Sequence, residues 1–148
     1  MEFKKILCPI DFSEVSRESL QKAAELAQQF HAELVVAHVI TNAPWLVAPT
    51  PTMPVDITGF HNELHEAAGK SLEQMVNEVV PEQVGFETVL ETGDPARDIV
   101  DIAADKQVDL IVMASHEKVP LNRFLFGSVA EKVIRIANCP VLVLKGPQ

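Results

Sequence analysis

Residues Asp109 to Lys145, DLIVMASHEKVPLNRFLFGSVAEKVIRIANCPVLVLK, decide the fold. Leu110 to Ala114 is a short apolar run with β-branched residues, suited to a strand covered on both faces. A loop follows, Gly127 to Ala137 reads as a helix, and Val141 to Leu144 returns as a strand behind Pro140, a residue acceptable at a strand start. Strand, loop, helix and strand in this order point to a parallel sheet. Gly127-Ser128 also carries chemical content. A helix N-terminus offers N–H groups without intrahelical acceptors at the positive end of the macrodipole, glycine admits a ligand to the backbone, and serine adds a donor, so the pair suits a phosphate. On local pattern alone, an ordinary turn with a serine N-cap is the favoured reading.

The same alternation extends upstream. Lys5 to Ile10 and Leu34 to Ile40 read as strands, and between them Leu20, Ala23, Ala24, Ala27 and Phe30 recur at helical spacing, with Ser13 or Ser16 as the cap. Thr41 to Gly59 carries Pro44, Pro49, Pro51 and Pro54, which deny both helical continuity and ladder donors; it reads as a long, mobile excursion. Phe60 to Val80 resumes the helical period through Leu64, Ala68, Leu72, Met75, Val76 and Val79. Phe86 to Glu91 reads as a third strand. Asp94 then caps a helix whose first position suits Pro95 and whose core face carries Ile99, Val100 and Ala103. The expected fold is α/β, three layers with a mainly parallel five-stranded sheet between helices. Its strand order is not contained in the sequence order. Ligands of such sheets bind beyond the strand carboxyl ends, here Pro9 and Asp11, Val39, Gly93, and Ala114 to Glu117.

Composition bounds the partners. The 148 residues fit one domain, 1–148, and no apolar run approaches a bilayer span. A net charge of −9 argues against a nucleic-acid or anionic-membrane surface, so any phosphate is held locally. The N-terminal apolar run, broken by Pro9 and Asp11, is too short for a secretory leader, which sets the expected address as the cytoplasm. Cys8 and Cys139, each before a proline and outside any Cys-x-x-Cys pair, read as small core residues in a reducing compartment.

Other constellations are weaker. His61 and His65 stand one helical turn apart, a spacing able to grip a metal, but Glu63 falls at the wrong position for a metalloprotease motif, and a solvated face is the expected role. Asp11 and Lys145 bring a phosphoryl-receiving switch domain to mind, yet only Gly146-Pro147-Gln148 follow the last strand, too few for the helix such a domain needs. His116 lacks a nucleophile or second acid beside it in sequence. Neither the Gly-x-Gly-x-x-Gly fingerprint nor the Walker loop occurs.

In the opening ILCPIDFSE, the strand AHVI, the GDPARDIV turn and helix, and the closing ASHEKVPLNRFLFGSVAEKVIRIANCPVLVLK, the chain resembles the universal stress protein family along nearly its whole length. The resemblance implies a Rossmann-like, adenine nucleotide alpha hydrolase-like domain. It further implies a cytoplasmic homodimer paired through Val141 to Leu144, concerned with survival under stress or growth arrest. Many members bind ATP. Their pattern of Gly, two residues, Gly, nine residues and Gly-Ser or Gly-Thr falls here on Ala114, Glu117 and Gly127-Ser128, so the second half is intact. By the same matching, Pro9, Asp11 and Val39 border the nucleoside, Asp11 at the ribose and Val39 at the adenine. The backbone of Ser115, His116 and Glu117, together with Gly127, Ser128, Val129 and Ala130, surrounds the phosphates.

The departures have a size. Ala114 adds one methyl group. Glu117 costs about 1–2 kcal/mol if its position needs positive φ, and about 1–4 kcal/mol if its carboxylate lies near a phosphate. The resulting expectation is weak or conditional adenine-nucleotide binding, ATP with Mg²⁺ accompanying it, in a regulatory module whose output is occupancy or dimer contact. A slow ATPase or a protein that phosphorylates itself, on Ser128 for example, is the enzymatic alternative. A dimer that is purely architectural and takes no ligand is the third.

Overall fold

The computed structural model describes residues 1–41, 57–115 and 127–146. Five strands, β1 (Lys5–Pro9), β2 (Glu33–Thr41), β3 (Phe86–Gly93), β4 (Leu110–Ser115) and β5 (Val141–Lys145), alternate with four helices, α1 (Glu14–Phe30), α2 (Ile57–Val79), α3 (Pro95–Asp105) and α4 (Ser128–Ile136). The sheet order is β3-β2-β1-β4-β5, and every pairing is parallel. The sheet expected to be mainly parallel is therefore parallel throughout.

β1 is central because its residues are apolar on both faces. Ile6 and Cys8 pack with Leu20, Ala23 and Ala27 of α1 and with Leu72 and Val76 of α2. Leu7, between them, faces the other way, with Val35 and Ile111 from its neighbours, Ile99 and Ile102 of α3, and Val133 of α4. Each large aliphatic side chain so enclosed contributes about 1.5–3 kcal/mol of burial free energy.

The caps follow the sequence signals. Ser13 caps α1, its hydroxyl accepting from the Ser16 N–H at 3.2 Å. His31 closes that helix in the left-handed conformation at φ 56°. Asp94 accepts from the Arg97 N–H at 3.1 Å, with Pro95 in the first helical turn. At α4 the cap position falls to Gly127 rather than to the expected serine, because the helix begins at Ser128 itself, and glycine brings no side chain to the helix end.

Two expected core positions are corrected. Leu64 is 40% exposed, since α2 reaches the core only from its second half, where Leu72, Met75 and Val76 are buried. Phe30 is 37% exposed and instead stacks edge-on against Phe3 at 5.1 Å. The Pro-rich excursion is shorter than expected: Thr41 belongs to β2 and α2 starts at Ile57, while residues 42–56, including the four prolines, lie outside the described residues.

Candidate functional site

The chain passes from β1 to β2 on one side and from β3 to β4 on the other, so crossovers diverge beyond the carboxyl ends of β1 and β4, where such sheets open a crevice. A cleft of about 480 Å³ lies there, within the size range of small-molecule sites. Pro9 and Asp11 come to it from the end of β1, Val39 from β2 and Ala114 from β4. Gly127, Ser128, Val129 and Ala130 come from the start of α4. Asp11 and Gly127 thus share one cleft across more than a hundred residues of sequence.

Ser115 does not line it: the side chain is 2% exposed, and its Oγ is buried without a hydrogen-bond partner. Period-two alternation turns it toward the same sheet face as Ile111, under the helices. His116 and Glu117 lie outside the described residues.

At the α4 end, Gly127 has φ 34° and ψ 152°, a backbone that residues with a Cβ avoid. The first intrahelical bond runs from the Glu131 N–H to the Gly127 carbonyl at 3.0 Å. The N–H groups of Ser128, Val129 and Ala130 precede it and have no acceptor within the helix. All three residues border the cleft, so the positive end of α4 is presented to it.

At the β1 end, the backbone bends sharply. The Asp11 carboxylate accepts from the Ser13 N–H at 3.0 Å and from the Ser13 hydroxyl at 2.5 Å. The Asp11 N–H donates to Ser16 Oγ at 3.3 Å, and that hydroxyl donates to the Ser13 carbonyl at 3.0 Å. Phe12, between them, has φ 65°, unusual for a residue with a side chain. Asp11 therefore stands at the cleft as part of a closed turn.

Sequence reasoning missed part of the wall. His38, Ser16, Thr41, Pro95 and Met113 also border the cleft. Only His38 left a signal, a polar ring inside an apolar strand. Its Nδ1 lies 2.7 Å from the Ile10 carbonyl, and because a carbonyl can only accept, Nδ1 carries the proton. Among the described residues of the wall there is one carboxylate, Asp11, and no lysine or arginine. Nearby, Lys132 pairs with Asp94 at 3.0 Å. Asp94 is held below the usual carboxylate range, first by the Arg97 N–H and then by Lys132. In the same helix, partial burial and then the neighbouring carboxylates Asp101 and Asp94 raise Asp98.

The remaining chemistry-bearing groups lie elsewhere. His61 and His65 are exposed on α2, and among the described residues no three metal-ligating side chains gather. Cys8 is fully buried near Ser19 Oγ at 3.9 Å, and burial pushes its thiol up to about 12, while Cys139 is half-buried with its thiol also raised. Among the described residues, no helix is long and apolar enough to cross a membrane.

The residues of the cleft suit an adenine nucleotide: a carboxylate able to accept from sugar hydroxyls, apolar wall at Val39 and Met113, and a helix N-terminus for an anion. Mg²⁺ has fewer hard oxygen ligands here, Asp11 being the one carboxylate of the described wall, and would depend on phosphate oxygens.

Residues 2–145 match the universal stress protein family. Universal stress protein MJ0531 of Methanocaldococcus jannaschii is 38% identical over 146 residues, covering 99% of this chain and 84% of that one. The solved structure of the protein MJ0577, from the same organism, superposes with a TM-score of 0.79 at 34% identity, covering 100% of this chain and 99% of its own. A universal stress protein of Archaeoglobus fulgidus in complex with dAMP has a TM-score of 0.59 at 23% identity, covering 97% and 98%, a likeness of fold. The chain belongs to the universal stress protein family.

Proposed function

We propose, with that membership as premise, that the chain is a regulatory binding module of the stress response that takes an adenine nucleotide in the cleft between β1 and β4. One observation carries the reading: Asp11, Val39 and the uncapped start of α4 border a single cavity although they are far apart in sequence. In this reading Asp11 accepts from the ribose hydroxyls, Val39 and Pro9 pack on the nucleoside, and the N–H groups of Ser128, Val129 and Ala130 hold phosphate. Ala114 borders the same space. The dAMP bound by the Archaeoglobus fulgidus relative supports an adenine ligand. Mg²⁺ enters with ATP.

Affinity is weak or conditional, because the described wall supplies no cation and Glu117 stands where the family's second glycine would be. Calorimetric titration of freshly purified protein with ATP and Mg²⁺ tests this. Saturable binding between micromolar and millimolar is the expected result. Absence of saturable heat at millimolar ATP refutes nucleotide binding and leaves the architectural dimer.

The module acts as one unit and as a homodimer. β5 is an edge of the sheet, Leu142 on it is 38% exposed, and Ile134 and Ile136 of the preceding helix are 42% and 40% exposed. An edge strand with apolar side chains calls for cover, and a second β5 supplies it through Val141 to Leu144. Two thiols without a bridge fit the reducing cytoplasm.

A further inference from the structure

The ladder between β1 and β2 ends at Pro9 opposite Ala37, and the Ile10 N–H still reaches the Ala37 carbonyl at 2.8 Å. The Ile10 carbonyl is then taken by a side chain, His38 Nδ1 at 2.7 Å. That bond extends the attachment of β1 one residue past the strand, to the position directly before Asp11. The next residue but one, Phe12, has the unfavourable φ of 65°, and its ring lies 4.3 Å from the His38 imidazole, tilted by 43°. His38 therefore grips the turn on both sides of Asp11: main chain before it, aromatic ring after it. The imidazole itself borders the cleft.

Further bonds knit the turn together. Asp11, Ser13 and Ser16 bond to one another, which fixes the shape of the turn, and Phe12 packs against the core beside α1. His38 adds a constraint of its own from a neighbouring strand, on the main chain directly before Asp11. We propose that His38 is a positioning residue that sets the Asp11 carboxylate at the cleft, so that the site discriminates ligands by the hydroxyl groups Asp11 receives. The proposal rests on the nucleotide reading above for the identity of those hydroxyls, and on the geometry alone for the hold on the turn.

The test uses the full chain as wild type, His38→Phe, His38→Gln and His38→Asn. Phenylalanine keeps a ring against Phe12 and removes the donor. Glutamine carries its amide one carbon further out and misplaces the donor, while asparagine returns an N–H at nearly the position of Nδ1. Each is titrated with ATP and with 2′,3′-dideoxy-ATP. Wild type is expected to prefer ATP by at least about tenfold, as a hydrogen bond to a charged acceptor requires. The ratio is expected to approach one in His38→Phe and His38→Gln and to return in His38→Asn. A ratio unchanged in both misplacing variants overturns the proposal.

Amide hydrogen exchange provides an arm that needs no nucleotide. The amides of Asp11, Ser13 and Ser16 are expected to exchange several-fold faster in His38→Phe, with Val36 in the core unchanged and His38→Asn restored. Equal exchange at the turn in wild type and His38→Phe overturns the hold. If wild type binds neither nucleotide, the nucleotide reading fails and the exchange result alone decides the role of His38 in the turn. Two variants with the donor removed or misplaced guard against one that does not fold.

Discussion

Gly127→Ala separates backbone strain from ligand recognition at the start of α4. At φ 34° and ψ 152° an added Cβ meets its own backbone, a cost of about 1–3 kcal/mol for a non-glycine residue held in such a region. For a chain of this length each kcal/mol moves the melting temperature by about 2–4 °C, so the variant is expected to melt about 2–12 °C lower. Nucleotide adds a second reading. With ATP tenfold above its dissociation constant, linkage stabilises wild type by about 1.4 kcal/mol, a rise of about 3–6 °C. In Gly127→Ala the new methyl group stands at the phosphate mouth, and that rise is expected to shrink by at least half. Gly69→Ala is the internal control. A Cβ there meets Leu90 Cδ2 at 3.7 Å, ordinary contact, in the interior of a helix, so it should gain about 1 kcal/mol and keep the full response to ATP. Differential scanning fluorimetry with and without ATP reads all of this. Wild-type melting in Gly127→Ala refutes the strain argument; a full ligand response in that variant refutes phosphate at this helix end.

Asp94→Ala removes a cap and the partner of Lys132. The folded carboxyl titrates below its unfolded value, so its stabilisation is present above the ordinary carboxylate range and is lost as pH falls through the depressed value. The variant should therefore melt well below wild type near neutral pH and approach it in strong acid; a gap that does not narrow refutes the charge-based account. Leu142→Lys places a charge on the exposed edge of β5 and should give monomer by light scattering with the circular dichroism unchanged, whereas a persistent dimer rules out this interface.

Much of this molecule is legible in its residues. The strand runs KILCP and LIVMAS are apolar on both faces, so they read as strands covered from both sides, and Ser13, Asp94 and Pro95 announce their helix starts. Family motifs then brought Asp11, Val39 and Gly127 to one pocket. Period and propensity are local, however, and exposure is not. Leu64 obeys the helical period of α2 yet stays 40% exposed. His38 was hidden for the opposite reason, since its meaning depends on a carbonyl 28 positions away in sequence. Ser128 looked like a cap because serine usually is one, and the glycine before it took the position instead.

The placement of β1 at the middle of the sheet has a consequence for how the polypeptide matures. Its first flank can be met early, by β2, but the other waits for Leu110 and Ile111, and the seam is finished by Asp109, whose carboxylate accepts from the Lys4 and Lys5 N–H groups at 2.8 and 2.9 Å. Closing that seam brings together segments more than a hundred positions apart, a non-local step of the sort that slows folding. Until it closes, a nascent chain on the ribosome exposes the bare flank of its central strand, making the interval before residue 110 emerges the one in which a chaperone has most to protect.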